Sequence, residues 1–204
     1  YGIRPITNGS HSSQLRKAGA FSATSFLNML NLTKTLVIAI AVLLLGGCAA
    51  KGPEMKTVDH VDLERFMGPW YVIANIPTFL EKKAYNAVET YRLNDDGTIA
   101  TTFTFRKGGF DGKEKEYNPK AFVLDEETNA LWGMRFVWPV KADYRIVYLD
   151  SEYSQTIIGR QDRDYVWIMA RTPTISESDY NMLVSRVDEL GYDISQIKRV
   201  PQSW

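Results

Sequence analysis

The chain has 204 residues, with 24 basic and 24 acidic side chains, two histidines and one cysteine. A single cysteine excludes an internal disulfide framework, and two histidines, His11 and His60, leave no cluster from which to assemble a metal site. The balanced charge argues against a nucleic-acid partner, which calls for a concentrated basic face.

Tyr1 to Leu27 is polar, rich in Ser and Gly and free of acidic residues. Met29 followed by Lys34 makes a short basic start to the apolar run Leu36 to Leu45, so residues 1–28 read as an upstream segment, untranslated or unfolded. The run is shorter than the ~20 residues that span a bilayer but suits a signal-peptide core of about 7–15. It ends in Leu45-Gly46-Gly47-Cys48, with small residues just before the only thiol. A buried helix ending by chance in Gly-Gly-Cys is the alternative, and nothing amphipathic surrounds the run to support it.

This tetrapeptide resembles the lipobox of bacterial lipoproteins. The resemblance implies that residues 29–47 are a signal peptide and that Cys48 is lipidated as the first mature residue, while Ala49 in place of an aspartate implies sorting to the outer membrane. The segment before Cys48 carries Arg4, Arg16, Lys17 and Lys34 and no acid, so 20 basic and 24 acidic side chains remain after it, a net charge of −4. Residues 48–58 then form anchor and spacer, and residues 59–204 a single domain long enough for a full core.

From Trp70 onward, short runs of period-two alternation rich in Tyr, Phe, Thr and Val predict strands over 70–76, 87–93, 98–106, 115–124, 131–138, 144–150, 154–160 and 164–171. Turn residues at Asn94-Asp95-Asp96-Gly97, at 108–112 and at 150–152 join them as sequential hairpins. Eight strands at such spacing suggest a sandwich or an up-and-down barrel, and sequential hairpins favour the meander over a Greek key, so the expected fold class is all-β, an eight-stranded antiparallel up-and-down β-barrel.

Alternation also assigns an inward face. It collects Val72 and Ala74; Ala87, Glu89 and Tyr91; Phe103 and Phe105; Trp132, Met134, Phe136 and Trp138; Tyr144, Ile146 and Tyr148; and Tyr165, Trp167 and Met169. All but Met169 are the candidate ligand-binding residues. Rings on an inward face are ordinarily core, but an eight-stranded barrel is just wide enough to hold either packed side chains or one small ligand. Glu89 must then pair with a base, sit at the wet mouth or stay protonated, and in each case it discourages a ligand carboxylate placed against it.

After the last strand, Ser176 is suited to cap a helix whose stripe is Tyr180, Leu183, Val184, Val187 and Leu190, with Gly191 closing it. Its apolar side is expected against the outward residues Val147, Leu149, Val166 and Ile168, so one C-terminal α-helix packs outside the barrel. The tail from Ser195 to Val200 suits a short extra strand.

Three motifs now carry a family resemblance. Gly68-Pro69-Trp70-Tyr71 resembles the lipocalin Gly-x-Trp motif, Asp162-Arg163-Asp164-Tyr165 the motif before the last barrel strand, and Arg171 the third. The wording from Val61 to Pro201 is similar to bacterial outer-membrane lipocalins and the apolipoprotein D-related lipocalins. The motif residues Gly68, Trp70, Asp162, Tyr165 and Arg171 are read as structural, with Arg171 across the Trp70 indole closing one end. Pro69 in the variable position and the absence of disulfides are the departures.

The resemblance implies a non-enzymatic, lipid-anchored outer-membrane protein facing the periplasm, which binds, stores or carries a small amphipathic lipid such as a fatty acid or lysophospholipid, with a role in envelope maintenance or membrane biogenesis. No cofactor and no metal are implied, and the partners are the lipid and the membrane; the oligomeric state, a homodimer included, stays open. Two other readings compete. One is a structural envelope lipoprotein with a filled barrel; the other is an enzyme using the barrel as an active site, which lacks a nucleophile and base since His60 precedes the barrel.

Overall fold

The computed structural model describes Gly2 and residues 53–204. The signal segment and Cys48 lie outside the described residues.

A one-turn helix, α1 (Leu63–Phe66), is capped by the Asp62 carboxylate on the Arg65 amide and leads into β1 (Gly68–Ile76). There follow β2 (Ala84–Leu93), β3 (Thr98–Lys107), β4 (Glu114–Tyr117), β5 (Lys120–Val123), β6 (Leu131–Val137), β7 (Val140–Leu149), β8 (Gln155–Gly159) and β9 (Val166–Ala170). Each strand pairs antiparallel with the next, except that β4 and β5 both pair with β3, and β9 returns to β1 to close the barrel. β4 and β5 are thus one barrel strand interrupted at Asn118-Pro119, where proline has no N–H to give a ladder. Eight barrel positions result, as alternation predicts.

The helix α2 (Glu177–Glu189) begins on Ser176, whose hydroxyl accepts from the Asp179 amide, and ends at Gly191 with φ +85°. Leu183 and Val187 are buried against Ile73, Ile76, Ile157, Val166 and Ile168, so a second apolar layer lies between helix and barrel. The expected strand forms as β10 (Lys198–Arg199), paired with Ala74 and Asn75 where β2 has diverged from β1. Beyond it, the Gln202 amide donates to Val72 O (2.8 Å) and Ala87 O (3.1 Å), stitching β1 to β2.

Three β-bulges correct the predicted facing of five residues. An extra residue between Val72 and Ala74 turns Ala74 outward, opposite Ile168 and into the layer under the helix. A bulge between Ile146 and Tyr148 does the same to Tyr148, which carries the Arg186 guanidinium 4.6 Å from its ring centroid, and it returns Leu149 to the barrel side. The third, between Met134 and Val137, ends the inward alternation of β6, so Phe136 and Trp138 stand exposed at the hairpin tip. Neither lines the enclosed interior.

Candidate functional site

The two ends of the barrel are built differently. At one end the Trp70 indole N–H donates to Phe66 O (2.9 Å), and Arg171 lies 3.9 Å from the Trp70 ring centroid. The same guanidinium donates to Pro69 O (2.8 Å), Arg65 O (2.8 Å), Phe66 O (3.0 Å) and Tyr153 O (3.2 Å), tying α1, β1 and the β7–β8 turn together. Gly68 takes φ +92°, and a Cβ there would sit 3.4 Å from Arg171 Nη1, so this glycine serves both the backbone and the close approach. These contacts close the base. Asp162 is exposed in the β8–β9 loop, and its neighbour Arg163 caps α2 through Leu190 O (2.7 Å).

Above the base, rings rise through the interior as a ladder. Phe66, Trp132, Tyr144, Trp167 and Tyr165 follow one another at centroid separations of 5.5, 5.4, 6.5 and 6.4 Å. Val72, Ala87, Tyr91, Phe103, Phe105, Trp132, Met134, Tyr144 and Ile146 are buried in this one cluster. Tyr165 is partly buried just before β9, beneath the Arg160 guanidinium at 5.3 Å. Ala142 and Trp167 keep partial exposure toward the end of the interior away from Trp70, which is open to solvent, and Glu89 and Tyr117, nearer the level of Trp70, are partly exposed as well.

Glu89 lies opposite Trp70 on one side and Phe103 on the other. Its Oε2 accepts from the Tyr91 hydroxyl and, at 3.5 Å, from that of Tyr144, while the two hydroxyls lie 2.5 Å apart. Burial pushes the carboxyl up to about 7 against the pull of Tyr91, and the Glu81 carboxylate adds to the rise. Burial likewise holds both phenols well above their ordinary value, so they act as neutral donors. Of the three fates open to Glu89, the structure places it with tyrosines and without a base.

Sequence reasoning missed Glu81. It is 6% exposed in the β1–β2 loop and accepts from the Trp167 indole (2.8 Å), the Thr78 hydroxyl (2.6 Å), the Thr78 amide (3.1 Å) and Asn75 (3.4 Å). The loop is thereby folded over one side of the mouth. Phe66, whose ring fills the base beside Trp70 and Tyr91, was missed as well, because its one-turn helix has no alternation to read.

Residues 61–202 match the model of the lipocalin-like domain. The chain belongs to the lipocalin family. It is 38% identical to "Temperature-induced lipocalin-1" of Arabidopsis thaliana over 162 residues, 74% of this chain and 84% of the relative. It is 29% identical to "Outer membrane lipoprotein Blc" of Escherichia coli (strain K12) over 185 residues, 85% of this chain and 98% of the relative. Among solved structures, insecticyanin from the tobacco hornworm Manduca sexta superposes with a TM-score of 0.58 at 17% identity, over 74% of this chain and 86% of that one, a likeness of fold. Membership brings with it the general family property, binding of a small hydrophobic ligand.

Proposed function

We propose that this lipocalin binds and carries a small amphipathic lipid, a fatty acid or lysophospholipid, with the acyl chain beside Phe103, Trp132, Met134 and Trp167 and the polar head at the mouth. The observation that carries the reading is the contrast between a sealed base and an upper half whose inward residues keep solvent access. Each CH₂ removed from water contributes about 0.8 kcal/mol, so burial of the tail alone supports tight binding. At a pH below about 7 the protonated Glu89 presents no charge to a passing chain. The printed name of the Escherichia coli relative supports a place at the outer membrane, facing the periplasm and held there by a lipidated Cys48, with a part in envelope maintenance or membrane biogenesis.

A filled structural barrel is the second reading, favoured by the complete burial of Phe66, Tyr91 and Trp132 near the base and of Phe105 above them. Titration of lysophospholipid into the chain carrying Cys48→Ala, followed by tryptophan emission, separates the two. Saturable change that is lost in Ala87→Trp, a small inward position given a bulky ring, supports the carrier. A folded Ala87→Trp protein that binds with undiminished affinity removes the tail from the barrel. Membrane fractionation of Cys48→Ala tests the anchor independently, and unchanged membrane association would remove it.

A further inference from the structure

Glu89 is more than a polar interruption in an apolar barrel. Its hydrogen bonds all engage Oε2, and among the described residues no protein donor reaches Oε1. No ion pair among the described residues includes it. A carboxylate set among rings with no cation beside it is costly to ionise, and its Oε1, which accepts no hydrogen bond from the described residues, keeps contact with solvent. Oε1 is therefore open to a partner that the chain itself does not supply.

The surroundings specify the sign of that partner. From β1 and β3 Glu89 faces Trp70 and Phe103; from its own strand Tyr91; from β7 Tyr144, whose ring stacks on Trp132 with planes 9° apart. From the mouth loop comes a second acid, Glu81. The cations nearby are otherwise engaged or higher up. Arg171 lies on Trp70 and donates to four backbone carbonyls at the base. Lys115, opposite Phe105, and Lys107, opposite Ala84, stand nearer the mouth, and Arg160 pairs with Asp164 at 3.2 Å. Aromatic faces around an anionic oxygen form the environment in which a desolvated ammonium group is best held, since ring quadrupole and carboxylate both attract it.

We propose that the Glu89 carboxylate, through Oε1, is the docking point for an ammonium group borne on an apolar chain, so that the barrel takes lipophilic amines as a ligand class. The inference rests on the barrel being a ligand site, as proposed above, and assigns the polar selectivity of that site. Binding at a pH below the Glu89 value expels one proton: neutral carboxyl and alkylammonium become a carboxylate–ammonium pair, and the proton leaves to solvent. Affinity for an amine therefore rises with pH and levels off above about 7, whereas affinity for an uncharged chain does not rise.

The test is a matched series of dodecylamine, dodecanol and dodecanoate titrated into the chain carrying Cys48→Ala, read by tryptophan emission at pH 5.5 and 7.5. The amine is expected to bind about tenfold more tightly than the alcohol at pH 7.5, with the ratio falling toward one at pH 5.5, and dodecanoate weakest at pH 7.5. E89Q should bring the amine-to-alcohol ratio toward one at both pH values. Equal affinity of amine and alcohol at pH 7.5, or an amine preference that persists in folded E89Q, would overturn the assignment while leaving the barrel as a ligand site. Absence of binding by all three would overturn the barrel reading and this inference together. Should E89Q fail to fold, the pH dependence of the ratio in the parent chain decides.

Discussion

Trp70 and Trp138 are the same residue put to opposite uses at the two ends of one barrel. Trp70 is 0% exposed, hydrogen-bonded through its indole and covered by Arg171; Trp138 is 78% exposed at a hairpin tip, near the exposed Val137 and Val140. The base ties its indole and guanidinium groups to backbone carbonyls, whereas the mouth leaves the rings of Phe136 and Trp138 exposed. On the proposed reading, stability is concentrated at one end and ligand access at the other. Mutations at the base should register in unfolding experiments, and mutations along the upper interior in titrations.

That division can be broken most directly at Trp70. Trp70→Ala removes a buried ring and the face on which Arg171 lies, and should cost about 3–5 kcal/mol in urea unfolding. A loss under about 1 kcal/mol would mean that the base is not where stability resides. Arg171→Ala removes a cation–π contact and several charged hydrogen bonds, for a cost of about 1–3 kcal/mol, yet should leave lipid affinity nearly unchanged. A large loss of affinity at unchanged stability would reverse the assignment of the two ends.

Glu89 sharpens the comparison through pH. Its folded value, about 7, lies above its ordinary 4.5, so the folded chain holds more proton than the unfolded chain between those two values. Stability should therefore fall as pH rises through that window and be flat on either side. The expected loss is about 2 kcal/mol, reduced from the full shift because the residue keeps partial solvent contact. Glu89→Gln should flatten this part of the curve, and urea midpoints at pH 4.5 and 8 check it. Smallest of all, Trp138→Ser should move stability by less than about 0.5 kcal/mol, measured in the same melts.

The strand count, the helix with its Ser176 cap, and the Gly68, Trp70 and Arg171 seal were all legible in sequence because each depends on local period or on a compact motif. What alternation could not show was where a strand adds a residue. One extra residue exchanges the two faces of everything beyond it, which is why Ala74 and Tyr148 belong to the helix side and Leu149 to the barrel. Glu89 was legible as inward, since β2 is regular from Val88 to Leu93. Its tyrosine partners were not linked to it beforehand, because Tyr144 comes from a strand on the other side of the interior. Glu81 was illegible for a different reason: its burial depends on a loop folding back onto Trp167, a contact between residues 86 positions apart.

The seam between the two ends of the chain has a consequence for how the barrel is made. Strand β1 comes first, yet its partners β9 and β10 are among the last residues, and the adjacent β2 distortion at Asn86 is filled by the Pro201 carbonyl and by Ser203. Hairpins such as β2–β3 and β6–β7 close short loops and can form while the chain is still emerging, but the cylinder must wait for its final residues, because a distant closure carries the larger entropy cost. Until Gln202 arrives, the carbonyls of Val72 and Ala87 lack the donor that joins them, so a chain cut after β9 would hold every barrel strand and still have an unfinished wall.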